Sequence, residues 1–311
     1  MSDFGFLNIN KPPDCTSHDV IAILRKSLEI KKIGHCGTLD PFATGVLVVG
    51  INDATRLFEY LPSDKVYLAE ITFGIETETD DITGKVISGD AINRVPTSSK
   101  IPTLDEIKEK LLNFTGKIKQ KPPIFSAVKI NGNRAYKLAR KNQIVLDDIK
   151  EKEIEIYSIE IVSYNDAVAY RNKPLQLKIH CSSGTYIRSI ARDLGKKLNT
   201  CATLSSLKRI KVGNFFTIEH SINLKSITKL TLHEHLILPI SILEIPKIKL
   251  EPEQIKDICH GRSINIGSCP LETPKTIKNA SLMDNNDRLI AIGTSCGNGI
   301  IKPEKVFLKN G

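Results

Sequence analysis

The stretch Gly34–Gly50, GHCGTLDPFATGVLVVG, sets one carboxylate between glycine-rich turns and an apolar run. Pro41 biases the Asp40 backbone to an extended conformation and fixes a turn. Gly34, Gly37 and Gly45 let the chain bend or approach a ligand closely. A carboxylate held on a stiff turn beside a buried strand can act as a nucleophile or a base. Asp-Pro turns are common in structural loops too, so these residues alone leave both readings open.

The elements that must hold this turn are legible in part. GFLNINKPP reads as a short strand and a turn. A helix follows, capped by Thr16 or Ser17 with Asp19 in its first turn, and runs to about Lys31. Val20, Ile21, Leu24 and Leu28 share one of its faces. KVYLAEITFG alternates as a half-buried strand, and the acidic turn ETETDDITG returns in a second strand, which predicts a hairpin. INRVPTSSKIPT reads as a surface loop. TLDEIKEKLLNF opens on a capping box, Thr103 to Glu106, and forms a second helix. Asn131–Gly132 marks a tight hairpin before a short basic helix. Strands follow near Ile154–Val162 and Leu175–Cys181. TYIRSIARDLGKKLN is a third helix, with Ile187, Ile190, Ala191, Leu194 and Leu198 on one side. This mixed order predicts an α+β fold on a mixed, largely antiparallel central sheet flanked by helices. Past residue 240, GRSINIG, LIAIGTS and KVFLKNG read as short strands of a small β-rich module.

The chain has 311 residues, 41% hydrophobic and 25% charged, ordinary for a soluble protein. Its 44 Lys and Arg against 35 Asp and Glu give a net charge of +9, which suits a polyanionic partner such as a nucleic acid. The seven cysteines (15, 36, 181, 201, 259, 269 and 296) form no C-x-x-C pair. Their odd count argues against a disulfide framework or a zinc site and for reduced cytoplasmic thiols. His233 and His235 lack a third ligand at usable spacing. The start is no signal peptide and no apolar run is long enough to span a bilayer. No dinucleotide fingerprint or P-loop is present.

GHCGTLDPFATGVLVVG resembles the catalytic signature of the TruB-type family of bacterial tRNA pseudouridine-55 synthases. KVYLAEITFG, TETDDITG, KPPIFSAVKINGNRAYKLAR, CSSGTYIRSIARDLG and LSSLKRIKVGNF resemble further family blocks. They stand in the family's order from Phe6 to about Phe215. HGRSINI resembles, more weakly, the family's PUA-like RNA-binding domain. The resemblance implies a pseudouridine synthase catalytic domain over 1–243 and a PUA-like domain over 244–311. It also implies isomerisation of a uridine in the T-arm of tRNA by cleavage and rejoining of its glycosidic bond, without cofactor or metal.

Carried over by position, Asp40 matches the essential aspartate, Arg188 the arginine that pairs with it, and Tyr67 the tyrosine that stacks on the flipped base. His35 matches a histidine beside the flipped nucleotide, and Asp81 a polar residue close to the site. Lys129, Arg134, Tyr136, Arg140 and Tyr186 fall in blocks that hold the loop or contact RNA. Cys36 stands where Thr or Ser is usual, replacing a hydroxyl donor by a weaker thiol. Phe42 stands where a smaller aliphatic is common. The expected partner is the T-arm and elbow of tRNA, bound by a cytoplasmic monomer without a protein partner. Two rival readings are the catalytic subunit of an RNA-guided synthase and a non-catalytic tRNA-binding protein.

Overall fold

The computed structural model describes residues 4–89, 101–164, 174–267 and 278–308. Thr44–Ile51 is buried along nearly its whole length because both of its faces are covered. Leu47, Val49 and Ile51 pack with Val20, Ile21, Leu24 and Leu28 of helix Ser17–Leu28. Val46 and Val48 pack on the other side with Phe6, Leu57 and Phe216. A near-continuous apolar run is what such a doubly covered strand requires.

Around it lies a ten-stranded sheet. Its main path runs Ile222–Asn223, Gly5–Lys11, Thr44–Ile51, Ala202–Val212, Lys65–Phe73, Leu175–Cys181, Lys152–Ser163 and Gly116–Gln120. Only the pairings of Gly5–Lys11 with Ile222–Asn223 and of Thr44–Ile51 with Ala202–Val212 are parallel; the others on this path are antiparallel. The mixed, largely antiparallel α+β expectation is what the structure has. Tyr67, Ala69 and Ile71 face the core that helices Leu104–Leu111 and Ile187–Lys197 cover, through Ile107, Ile190, Ala191 and Leu194.

The caps behave as their chemistry predicts. Thr16 and Asp19 close one capping box, Thr103 and Glu106 another. Asn131 and Gly132 both take positive φ in the turn joining Lys129–Ile130 to Asn133–Arg134. Two expectations are corrected. The first helix ends at Leu28 rather than Lys31, because Glu29 turns left-handed (φ 57°) to reach the strand Ile33–Cys36. The returning strand Val86–Gly89 pairs with Ile75–Thr77 instead of Lys65–Phe73. Both edges of Lys65–Phe73 are taken by partners far away in sequence, Leu175–Cys181 and Ala202–Val212. The loop expected at 92–103 lies, up to residue 100, outside the described residues, as does Cys269. No disulfide links the described cysteines.

A second, five-stranded sheet comprises Lys247–Lys249, Asn279–Met283, Leu289–Gly297, Ile300–Val306 and Ile264–Asn265, with helix Pro252–Cys259. Asn279–Met283 was not expected as a strand. Ile248, Leu250, Ile258, Leu282, Ile290 and Ile301 form its core. Leu289 and Ile292 join the core of the first sheet instead, and Arg56 donates to the Val306 carbonyl at 2.9 Å while lying over the Phe307 ring. Among the described residues no helix is long and apolar enough to cross a membrane.

Gly195 shows packing overriding propensity. In a helix interior Ala is preferred over Gly by about 1 kcal/mol. A Cβ at Gly195 would lie 2.7 Å from the Ala202 backbone nitrogen and 2.8 Å from the Ala202 Cβ, where no rotamer can give way. Overpacking of this kind costs about 1–3 kcal/mol. Gly195→Ala is therefore expected to destabilise the fold by about 1–2 kcal/mol in urea unfolding; a stabilised variant would show that the strand yields freely.

Candidate active site

The turn between Ile33–Cys36 and Thr44–Ile51 carries Asp40. Lys11, wholly buried at the end of the first strand, gives its ammonium protons to the carbonyls of Pro12 (2.8 Å), Cys15 (2.6 Å) and Pro41 (3.0 Å). It thus ties the residue after Asp40 to the sheet. On the other side, Ser17 Oγ accepts from the Leu39 backbone N–H at 2.9 Å. Leu39, Ala43 and Tyr67 belong to one apolar cluster, with Phe42 packed against it. Phe42 thus thickens an apolar wall.

Arg188 comes from the first turn of helix Ile187–Lys197 and is only 6% exposed. Its Nη2 donates to Asp40 Oδ1 at 2.9 Å and to the Phe125 carbonyl at 3.2 Å. Its Nη1 donates to the Thr79 carbonyl at 3.0 Å and lies 3.5 Å from Asp81 Oδ2. One guanidinium therefore joins two carboxylates and two loops. Asp40 keeps 31% of its side chain accessible. Burial raises its carboxyl above the ordinary value; Arg188 opposes this and Asp81 adds to it.

Asp81 lies beside Arg188, close to the site as its family position implies. It is 4% exposed, and its Oδ1 accepts from Thr79 Oγ1 (2.9 Å), the Thr83 N–H (3.0 Å) and Thr83 Oγ1 (2.5 Å). It stands behind Arg188 and shapes the 79–83 loop. One helical turn on, Arg192 repeats the device, pairing with Asp80 at 2.9 Å and donating to the Lys121 carbonyl at 2.8 Å.

Tyr67 is buried in the strand beside this turn, and burial raises its phenol while Arg209 lowers it. The group is a neutral phenol near neutral pH. His35 is half-buried, with Nδ1 lacking a protein partner; burial, His18 and Arg209 lower its pKa, favouring the uncharged ring. Burial raises the Cys36 thiol, which argues against a thiolate nucleophile there.

Tyr186 caps the Arg188 helix, its backbone N–H and carbonyl bonded to the Gln120 side chain at 2.8 and 3.0 Å. The segment holding Phe125 continues through Ser126 into the hairpin. Tyr136 N–H donates to the Ser126 carbonyl at 3.0 Å, and Arg140 lies over the Tyr136 ring at 5.7 Å. Lys129, Arg134 and Arg140 are exposed, and Arg134 donates to the Ala127 carbonyl at 2.6 Å. The structure thus brings Asp40, Arg188, Asp81, Tyr67 and Tyr186 together, with Lys129, Arg134, Tyr136 and Arg140 on the hairpin and helix that follow Phe125.

Sequence reading missed Lys11, Arg192, Asp80 and Arg209. Two arginines four apart among Ile187, Ile190, Ala191 and Leu194, opposite a tandem Asp80-Asp81, were the available signal. Among the described residues no group of His, Cys, Asp or Glu is placed to hold a metal ion.

The model of the N-terminal domain of TruB family pseudouridylate synthases matches residues 25–187. A tRNA pseudouridine synthase B of Microcystis aeruginosa is 45% identical over 264 residues, 85% of each chain. That of Carboxydothermus hydrogenoformans is 39% identical over 309 residues, covering 97% of this chain and 98% of its own. A chain in the structure of an H/ACA RNP bound to a substrate RNA containing 2'-deoxyuridine has the same fold: the TM-score is 0.67 at 23% identity, over 98% of this chain and 86% of that one. The chain belongs to the TruB family of pseudouridylate synthases.

Proposed function

We propose that this protein isomerises a uridine of tRNA to pseudouridine, at position 55 of the T-arm, with Asp40 as the reacting carboxylate. The Asp40–Arg188 pair, 2.9 Å apart on a pinned turn beside buried Tyr67, carries the reading. Relatives named tRNA pseudouridine synthase B support the tRNA substrate. A base inside a folded loop must leave its stack to be reached, and an aromatic face such as Tyr67 replaces about 1–3 kcal/mol of lost stacking.

Breaking the C1′–N1 bond builds positive charge on the sugar, which the ionised Asp40 carboxylate stabilises or traps. The uracil turns, C5 bonds to C1′, the C5 proton leaves and N1 gains one. No atom is gained overall and no electron is transferred. Arg188 keeps the carboxylate aimed and favours its ionised form. Leu39, Ala43 and Tyr67 keep water away, so the detached base is the acceptor. The net charge of +9 suits capture of the polyanion. We assign residues 1–243 to catalysis and 244–311 to a PUA-like RNA-binding domain, in a monomer acting on tRNA without guide RNA.

The first test uses a tRNA transcript tritiated at uridine C5. Wild type alone should release tritium to water, and Asp40→Asn should release it more than about 10³-fold more slowly with tRNA affinity unchanged. Normal turnover by Asp40→Asn would remove Asp40 from the chemistry. Loss of release from wild type on free tRNA would point to a guide-dependent or binding role.

The pH dependence has a definite sign. Activity needs ionised Asp40, whose pKa lies above its ordinary value, so the rate should fall on the acid side through a midpoint above 3.8. Asp81 raises that pKa. Asp81→Asn keeps the Oδ1 acceptor but removes the like charge, so the acid limb should move to lower pH in single-turnover rates. A shift to higher pH would mean that Asp81 acts on Asp40 by another route.

A further inference from the structure

The largest wholly buried side chain among the described residues is a cation that the proposed mechanism does not use, Arg209. It lies in the strand Ala202–Val212, directly opposite Tyr67 on the antiparallel side and opposite Gly45 on the parallel side. Directly paired residues project from the same face of a sheet, so Arg209 and Tyr67 are side-by-side neighbours.

Among the described residues its guanidinium meets no carboxylate. Nε donates to the Val46 carbonyl at 2.7 Å, and Nη2 donates to the Gly37 carbonyl at 2.9 Å. Gly37 opens the turn that carries Asp40, and Val46 is the third residue of the strand that closes it. The close fit is visible at the glycines. A Cβ on Gly45 (φ 101°) would lie 2.2 Å from the Arg209 carbonyl oxygen, and one on Gly37 (φ 77°) would lie 3.4 Å from Nη1. The turn is folded over this one residue. Among the described residues Nη1 has no well-formed acceptor, a costly state for a buried charged donor, and the Arg209 side chain acts on the Tyr67 phenol by charge and by hydrogen bonding. Lys65 and His35 lie near this guanidinium: burial lowers the pKa of each, and Arg209 adds to the lowering. Tyr67 is the neighbour whose hydroxyl such a cation can hold in place.

We propose that Arg209 is a positioning residue of the reaction, one guanidinium that fastens both ends of the Asp40 turn and seats the Tyr67 hydroxyl beside it. The proposal rests on the assignment of Asp40 and Tyr67 given above. Arg188 grips the tip of Asp40 and Arg209 holds carbonyls before and after it, so losing Arg209 leaves the ion pair in place while the turn shifts. Displacement of a reacting group by about 1 Å can cost on the order of 10²-fold in rate.

The experiment measures single-turnover tritium release with enzyme in excess, alongside tRNA affinity and thermal melting. The variants are Arg209→Met, Arg209→Lys, Tyr67→Phe and Arg209→Met with Tyr67→Phe; Asp40→Asn is the control. Arg209→Met should slow release by about 10²-fold while tRNA affinity stays within about twofold. Arg209→Lys, which keeps the charge but not the fork, should recover part of the rate. In the Tyr67→Phe background the loss from Arg209→Met should be clearly smaller, because part of its effect passes through the hydroxyl.

A rate within about twofold of wild type, a loss that matches a loss of affinity or of folded protein, or equal losses in both backgrounds overturns the proposal. If Arg209→Met does not fold, Arg209→Lys carries the same comparison, alone and with Tyr67→Phe. Tritium release by Asp40→Asn would instead defeat the assignment of Asp40, whatever Arg209 does.

Discussion

The contact between Arg188 and Asp40 joins residues 148 positions apart and fixes what the rest of the fold must do. Its net contribution to stability is small. Two unit charges about 4 Å apart attract by about 4 kcal/mol at an effective dielectric near 20. Removing each from water costs several kcal/mol. The contact persists because the strands and the helix bring both groups to it and because Arg188 has further acceptors at Thr79 and Phe125. The fold supplies the energy and the ion pair supplies the geometry. Burial that outweighs Arg188 also keeps the Asp40 carboxyl above its ordinary pKa, so the carboxylate is held in place without being made inert.

The same solution recurs through the site. Lys11, Arg188, Arg192 and Arg209 are all buried, and each donates to backbone carbonyls of loops. Loops carry carbonyls that no ladder satisfies, and a buried cation carries several donors that must be satisfied. Each need answers the other. The turns at 37–46, 79–83 and 121–125 are thereby fixed as firmly as strands while keeping the irregular shapes that regular structure forbids. Asp80 and Asp81 complete this by taking the charges of Arg192 and Arg188 on the side away from Asp40.

Much of this was legible in the sequence, for reasons that differ by residue. Local chemistry gave the Thr103–Glu106 capping box, a cap at Thr16 or Ser17, the Asn131–Gly132 turn and the apolar face of the Arg188 helix, since each depends on neighbours within four positions. The resemblance to a family placed Asp40, Tyr67, Arg188 and Tyr186, and the structure gathers them. What periodicity could not give was long-range pairing. Val86–Gly89 looked like a return for Lys65–Phe73 because nothing local reveals that Ala202–Val212 already occupies that edge. Lys11 and Arg209 escaped for a related reason. A cation in a strand reads as an exposed side chain unless the carbonyls that receive it are known, and the ones that tie Lys11 and Arg209 to the Asp40 turn lie 30 and 172 positions away.

Two carboxylates near one arginine would ordinarily suggest a hydrolase, in which one acts on the sugar and the other activates water. The arrangement here argues for the opposite outcome. Asp81 is 4% exposed and its Oδ1 already accepts from Thr79 and Thr83, so it is in no position to present a water molecule. Asp40 alone is open to a substrate, and it is flanked by Leu39, Ala43, Phe42 and Tyr67. A site that generates a reactive sugar while offering it one accessible carboxylate and apolar walls leaves the released base as the nearest nucleophile. Rejoining is then the outcome that the geometry favours, and the burial of the second carboxylate is what makes it so.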